Sequence, residues 1–194
     1  MSDEVLHRAQ AAALEPRFAA LRGRCAAEVS LDVLAVSVGV GRWVSSFDPA
    51  KTRFTGIDVR EDLLQTARAD FPEGRFDRLS PELLLPYDDD SFDLAFSVTV
   101  MHHNPAPAKR TLLSEMWRVT RPGGQLLFLE NYVFAKQPEE PTVHPVSVTE
   151  FVDLIIDATA GQVVLEYVES LRYPDEDLRR GGLISLSRLG ISKI

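Results

Sequence analysis

Residues 31–41 read LDVLAVSVGVG, and this stretch decides the fold class. Its first part, residues 31–38, is almost continuously apolar and rich in β-branched side chains, which is typical of a strand buried inside a parallel sheet. The apolar run stops at Gly39 and Gly41, which can adopt positive φ angles and so permit a tight bend. The stretch therefore predicts a buried strand that turns sharply into the segment that follows.

Strand-like and helix-like segments alternate along the rest of the chain. Further strands are predicted over residues 53–59, 75–79, 92–98, 125–129, 163–168 and 183–188, and helices over residues 3–28, 61–70, 107–119 and 148–160. Pro16 is expected to break the first helix, and Pro122-Gly123-Gly124 to form a turn. Such alternation favours an α/β fold, with a mainly parallel sheet and helices on both of its faces.

The length and composition limit the class of protein. Its 194 residues fit one domain, because domains typically run to roughly 100–200 residues. The formal net charge of −8 disfavours long nucleic acid as a partner. A lone cysteine, Cys25, cannot form an internal disulfide, which favours a reducing compartment. No secretory signal and no apolar run near the roughly 18 residues of a membrane span is visible. We expect a cytoplasmic protein with no membrane partner.

Asp58 ends the second predicted strand, 17 residues after Gly41. An acidic residue about 20 positions beyond a glycine-rich turn is placed to accept hydrogen bonds from both hydroxyls of a ribose. The alternative is that Asp58 caps the next helix, since Glu61 follows three residues later as in a capping box. Both alternatives use the same backbone position. Together, the turn and Asp58 favour a ligand that contains a nucleoside.

The glycine spacing argues against a dinucleotide. The dinucleotide turn needs the spacing G-x-G-x-x-G. Counted from Ser37, the third glycine would fall at Arg42, and counted from Gly39 it would fall at Val44. A nicotinamide-dependent oxidoreductase is therefore disfavoured.

Taken together, the motifs resemble those of class I S-adenosylmethionine-dependent methyltransferases, in their small-molecule branch. The resemblance rests on residues 33–42 (VLAVSVGVGR), 55–59 (TGIDV), 85–94 (LPYDDDSFDL), 100–103 (VMHH) and 115–124 (EMWRVTRPGG). It implies a Rossmann-like, doubly wound seven-stranded sheet whose last strand is antiparallel. It also implies S-adenosylmethionine as cofactor, S-adenosylhomocysteine as product and a small-molecule acceptor. Residues 29–194 would form the core of a single domain, and residues 1–28 a helical lid.

The resemblance also assigns residues to the cofactor. Gly39 and Gly41 would line its methionyl part, Asp58 would bind the ribose hydroxyls, and Val59 would pack on the adenine. The full set of expected cofactor residues is Ser37, Gly39, Gly41, Asp58, Val59, Arg78, Leu79, Ser97 and Val98.

Two positions depart from the family pattern. Ala35 stands where the family usually has an acidic residue that helps to hold the methionyl ammonium, and Ser37 stands where it has its first glycine. These departures leave two alternatives open. One is a catalytically degenerate protein that uses the fold for binding or scaffolding, and the other is an enzyme that binds the cofactor for chemistry other than methylation.

Histidines and polar residues after the later strands are candidates for the acceptor side. His102 and His103 are candidate general bases, because imidazole titrates near neutral pH, with a structural role in the loop as the alternative. Asn131, Tyr132 and His144 are candidate substrate-binding residues. We predict no metal site, because the histidines have no cysteine partner and no HExxH spacing. A second subunit that completes the acceptor pocket, as in a homodimer, stays open.

Overall fold

A computed structural model of the chain describes residues 3–24, 30–132, 143–172 and 180–189. The elements in these ranges are α1 (Asp3–Arg24), β1 (Leu31–Val36), β2 (Thr52–Asp58), α2 (Glu61–Asp70), β3 (Arg75–Arg78), β4 (Phe92–Val98), α3 (Ala106–Val119), β5 (Thr120–Tyr132), α4 (Val148–Ala158), β6 (Val163–Arg172) and β7 (Arg180–Arg188). Short 3-10 helices occupy Val44–Ser46 and Met101–His103. Within the described ranges, no helix has both the length and the apolar character that crossing a bilayer requires.

All seven of these strands form one sheet in the order β3-β2-β1-β4-β5-β7-β6. Pairing is parallel from β3 through β5, whereas β7 is antiparallel to both β5 and β6. The expected Rossmann-like sheet with an antiparallel last strand is confirmed. The strand order reverses beside β1, which lies between β2 and β4, and ligands of such sheets bind beyond the carboxyl ends of the strands at this point.

Apolar side chains cover both faces of the sheet, as the alternation of strand residues requires. On the first face, which we call the α1 face, Val33 and Ala35 of β1 pack with Leu14 and Phe18 of α1 and Leu64 of α2. On the opposite face, the α3 face, Leu34 and Val36 pack with residues of α3 and α4. Neighbouring residues of β1 therefore belong to different cores, and this decides which side of the site each residue can reach.

The first helix does not break at Pro16, so that prediction is wrong. The helix runs through Pro16 to Arg24. Leu14 and Phe18, one on each side of the proline, are fully buried, and the Phe18 ring lies 4.6 Å from that of Phe47. A proline inside a helix costs about 3 kcal/mol, and the burial of two large side chains, worth roughly 1.5–3 kcal/mol each, offsets it. Residues 25–28 of the predicted lid, with Cys25, lie outside the described residues.

The Pro-Gly-Gly segment bends within a strand instead of preceding it. Pairing between β4 and β5 begins at Phe92 with Thr120 and resumes at Leu94 with Gln125, so residues 121–124 form an irregularity in β5. Gly123 has a φ of +82° there, which explains the glycine at this position. The strand that was expected from residue 125 therefore starts at Thr120.

Candidate functional site

The turn after β1 has an alternating backbone conformation. Ser37, Gly39 and Gly41 all have positive φ, at +58°, +58° and +84°. Between them, the Val38 N–H donates to the carbonyl of Ile57 in β2 at 3.1 Å, which fixes the turn against the neighbouring strand. Ser37 thus adopts the left-handed conformation that glycine adopts readily. The serine therefore preserves the bend of a glycine-rich turn.

The two glycines of this turn serve different purposes. A Cβ on Gly41 would lie 2.9 Å from the ring of Phe71, so close packing requires glycine there. A Cβ on Gly39 would have no heavy atom of the described residues within 4 Å. The backbone at Gly39 therefore borders open space, where a ligand can approach it closely.

Asp58 lies at the end of β2 beside this open space and is only 5% exposed. Its Oδ2 accepts the Gly39 N–H and its Oδ1 accepts the Arg60 N–H, both at 2.9 Å. Arg60, and not Asp58, is the N-cap of α2, and it makes no side-chain capping bond. Asp58 is therefore not the N-cap residue of α2, and its carboxylate joins the turn after β1 to the segment that enters α2.

Two cavities adjoin the turn, and their linings share Val36, Ser37, Gly39, Leu63, Val98 and Thr99. The small chamber, of about 320 Å³, is lined on the α1 face by residues that include Gln10, Ala35, Trp43 and Phe96. The large chamber, of about 620 Å³, is lined by residues that include Asp58, Val59, Leu79, His103 and Leu112. Both volumes fall within the roughly 300–1,000 Å³ of small-molecule sites.

Most of the expected cofactor residues border these chambers. Val59 is 46% exposed beside the large chamber, whereas Leu79 lines it from a buried position. Gly41, Arg78 and Ser97 are absent from both linings as the described residues form them. Ser97 is buried, and its hydroxyl has no hydrogen-bond partner in the described part of the chain.

Residues 34–128 match the family described as "Methyltransferase domain". The chain belongs to the class I S-adenosylmethionine-dependent methyltransferases.

Curated proteins and solved structures are similar to this chain. An uncharacterized methyltransferase of Mycobacterium tuberculosis is 36% identical over 98 residues, which cover 50% of this chain and 37% of that protein. Methyltransferase GfsG of Streptomyces halstedii is 38% identical over 102 residues, with coverages of 48% and 35%. The PH0226 protein of Pyrococcus horikoshii OT3 shares the fold, with a TM-score of 0.72 at 17% identity over 96% of this chain and 92% of that one. The chain spans little more than a third of the length of the two curated relatives.

The family implies S-adenosylmethionine as cofactor, and the residues at the turn suit it. Gly39 leaves open space for a ligand at the backbone. Each oxygen of Asp58 accepts one backbone N–H, and a carboxylate offers about four lone-pair sites, so acceptor capacity is left for two hydroxyl groups. The two chambers adjoin each other along the turn, which leaves room for an elongated ligand.

The loop after β4 is organised by Glu130, which is 1% exposed near the end of β5. One oxygen of its carboxylate accepts the backbone N–H groups of Val100 and Met101 at 3.0 and 3.1 Å. The other lies 3.2 Å from Nδ1 of His102. Sequence reasoning did not select Glu130, although an acidic residue that directly follows the apolar run 126–129 is a signal that could have identified it.

The structure brings all three candidate histidines into this region. His102 is buried against Glu130, and its ring centroid lies 4.0 Å from that of His103. Of the pair, His103 lines the large chamber. The backbone N–H of His144 donates to the carbonyl of His102 at 2.7 Å. Among the described residues, no group of three or more His, Cys, Asp or Glu is placed to hold a metal ion.

A buried lysine also contacts the loop after β4. Lys109 of α3 is 1% exposed, and its Nζ donates to the carbonyls of Asn104 and His144 at 2.6 Å each. Asn131 is half-buried in β5 and pairs with Gly181 of β7. The side chain of Tyr132 lies outside the described part of the structure. Lys109 therefore ties the loop after β4 to residue 144, and both segments border the acceptor side expected from the sequence.

Proposed function

We propose that this protein transfers a methyl group from S-adenosylmethionine to a small-molecule acceptor. The observation that carries the proposal is the hydrogen bond between the Asp58 carboxylate and the Gly39 N–H, made where the two chambers meet. A carboxylate at this point suits a ribose. The large chamber has apolar wall residues for the nucleobase, and the small chamber adjoins it and can receive a polar tail.

Each part of the site has a role in this proposal. Asp58 accepts hydrogen bonds from the ribose hydroxyls, and Val59 and Leu79 provide apolar surface for the adenine. Ser37 and Gly39 let the backbone lie close to the methionyl part. When bound, S-adenosylmethionine supplies a methyl carbon that its sulfonium already activates. The chain mainly has to hold the acceptor in line with that carbon, which is the kind of positioning that lowers a barrier by several kcal/mol.

His103 is the candidate general base, for acceptors that must lose a proton during transfer. It lines the large chamber, whereas His102 is turned toward Glu130 and is better suited to position its neighbour. Glu130 contacts His102 directly and fixes the backbone of Val100 and Met101, so its effect on His103 is indirect. The proposal therefore assigns proton transfer to His103 and positioning to His102 and Glu130.

The acceptor is proposed to be a small, uncharged or cationic molecule. The formal net charge of −8 repels phosphate-rich acceptors. Asn131 and Tyr132 are the last residues of β5, and His144 is bonded through its backbone to His102. All three are proposed to contact the acceptor. A second subunit could complete this side of the pocket as a homodimer, and the reducing cytoplasm remains the proposed compartment.

Ala35 favours one alternative, a binding protein that has kept the fold without catalysis, because it removes the acidic residue of the family's first motif. Calorimetric titration with S-adenosylmethionine and S-adenosylhomocysteine separates these functions. Saturable binding of both supports the proposal, whereas no binding at millimolar concentration supports the degenerate protein. Mass spectrometry after incubation with candidate acceptors then tests transfer. A converted acceptor without formation of S-adenosylhomocysteine would instead indicate chemistry other than methylation.

A further inference from the structure

Gln10 is an unusual residue on the buried side of α1. It lies on the same helix face as Leu14 and Phe18, which are fully buried, because residues four apart are neighbours on a helix surface. Gln10 itself is only 3% exposed and lines the small chamber. Its amide atoms are not among the fully enclosed polar atoms of the described residues that lack a partner, so they remain accessible from the chamber. A polar partner in the chamber would add a hydrogen bond worth about 1 kcal/mol.

No hydrogen bond joins the Gln10 amide to the other residues that the structure describes. The lining of the small chamber also includes the apolar residues Ala35 of β1 and Phe96 of β4, which are paired in register. The neighbouring wall carries Trp43, whose ring lies 4.9 Å from that of His7 on α1. Gln10 borders an open chamber, where water or the polar group of a ligand can bind its amide.

The charges around the small chamber limit what this ligand portion can be. Among the described residues of its lining none is acidic, and Arg42 is a cation in the lining. An ammonium group in the chamber would find no carboxylate there, whereas a carboxylate group would meet a positive charge. A glutamine amide can serve both groups, because its oxygen accepts a hydrogen bond and its NH₂ donates two.

We propose that Gln10 binds the amino-acid tail of the S-adenosyl ligand. This neutral residue of α1 thereby replaces the tail-binding function of the acidic residue that is absent at position 35. The inference rests on the proposed function, since it presupposes an adenosyl group held at Asp58. It gives α1 a direct part in ligand recognition, beyond its packing on the sheet through Leu14 and Phe18.

The test compares two ligands that differ in this tail. S-adenosylhomocysteine carries the amino-acid tail, whereas 5′-methylthioadenosine has a methyl group in its place. Gln10→Met keeps a straight, helix-compatible side chain of similar size but removes the amide. We expect Gln10→Met to weaken S-adenosylhomocysteine binding roughly tenfold, as the loss of about one good hydrogen bond predicts, and to leave 5′-methylthioadenosine binding unchanged. Gln10→Leu provides a second apolar variant, and binding of 5′-methylthioadenosine reports that each variant is folded.

The matched control is Arg8→Gln, on the exposed side of the same helix, where the Arg8 side chain is 77% exposed. This variant should bind both ligands like the wild type. Equal affinity of Gln10→Met and wild type for S-adenosylhomocysteine would overturn the inference, and so would equal losses for both ligands, because Gln10 would then only shape the groove. If the wild type itself binds neither ligand, the proposed function fails. If it binds both ligands equally, the adenosyl site stands and only the role of Gln10 falls.

Discussion

The carboxylate of Asp58 and the backbone N–H of Gly39 are joined by a hydrogen bond of 2.9 Å. This bond ties the end of β2 to the turn that follows β1, and the second carboxylate oxygen holds the Arg60 N–H at the entry to α2. Asp58 therefore shapes the turn and also presents acceptor oxygens beside it. These two roles predict two separable effects when the side chain is removed.

Replacing Asp58 by alanine should weaken S-adenosylhomocysteine binding tenfold or more, because the ribose hydroxyls lose their acceptor. It should also lower the free energy of unfolding without ligand by about 1–3 kcal/mol, because two backbone N–H groups lose their partner. Calorimetry and urea unfolding measure these effects separately. Asp62→Ala, whose side chain is 64% exposed, is the control and should change neither strongly. Unchanged affinity in Asp58→Ala would show that Asp58 only shapes the turn.

Ser37→Gly should stabilise the protein. Ser37 has a φ of +58°, a conformation that costs a residue other than glycine about 1–2 kcal/mol. Glycine removes this cost but makes the unfolded chain more flexible, which takes back about 0.4–1 kcal/mol. The net gain should reach up to about 1 kcal/mol in urea unfolding.

The reciprocal control for Ser37→Gly is Gly39→Ala. Gly39 has the same φ, and an added Cβ would meet no described atom within 4 Å, so the substitution isolates the conformational cost. It should destabilise the protein by about 1 kcal/mol. A less stable Ser37→Gly variant would instead show that the serine hydroxyl itself holds the turn together.

The architecture could be predicted because its signal is local and repeated. An almost continuously apolar, β-branched run such as residues 31–36 is typical of a buried strand, and its alternation with amphipathic helices leaves few arrangements besides a parallel sheet. The helix break at Pro16 could not be judged in the same way. Its outcome depends on Leu14 and Phe18 packing against residues of β4 and of the segment after β1, and this tertiary burial outweighs the local cost of the proline.

The residues of the candidate site also differ in whether a local sequence pattern predicts them. Gly39 and Asp58 follow consecutive strands, so their spacing alone placed them together. Gln10 and Ala35 line the same chamber only because α1 packs on the sheet, and a polar residue on a helix has no periodic signal that points to a distant cavity. Glu130 is an intermediate case: its position after an apolar strand marks it as unusual, but its partners Val100 and Met101 follow a different strand.

Glu130→Ala should destabilise the protein by about 1–3 kcal/mol, because the N–H groups of Val100 and Met101 would be left buried without an acceptor. Since these residues border the large chamber or lie next to it, affinity for S-adenosylhomocysteine should also fall severalfold. His103→Ala is the comparison, and it should keep cofactor affinity and lower only turnover once an acceptor is known. Urea unfolding and calorimetry would refute the positioning role if Glu130→Ala left both quantities unchanged.

Ala35→Asp should increase affinity for S-adenosylhomocysteine roughly tenfold, because a carboxylate on the wall of the small chamber would pair with the ammonium of the tail. Stability without ligand should fall, since Ala35 is 2% exposed and an unpaired buried charge is unfavourable. Ala35→Asn adds a polar group of the same shape without charge, and should show little gain in affinity. Weaker binding by a folded Ala35→Asp protein would mean that the chamber does not receive the ammonium.

Asp32 predicts how stability depends on pH at the opposite end of β1. Burial favours the neutral form of its carboxyl group, but hydrogen bonds from Arg53 at 2.6 and 2.7 Å and from Arg121 at 2.9 Å outweigh this effect and lower its pKa below 3.8. A group with a lowered pKa in the folded state stabilises the protein above its unfolded pKa, near 3.9, and this contribution is lost as the pH falls through the folded value.

The free energy of unfolding of the wild type should therefore decrease more steeply between about pH 5 and pH 2 than that of Asp32→Asn. At pH 7 the variant should be less stable by roughly 0.5–1 kcal/mol, because both arginines are partly exposed and water replaces much of the ion pairing. Urea titrations at several pH values measure the difference, with Glu82→Gln on the exposed surface as control. Parallel pH profiles for the wild type and Asp32→Asn would mean that the ion pairs with Arg53 and Arg121 persist equally in the unfolded chain or contribute nothing to the fold.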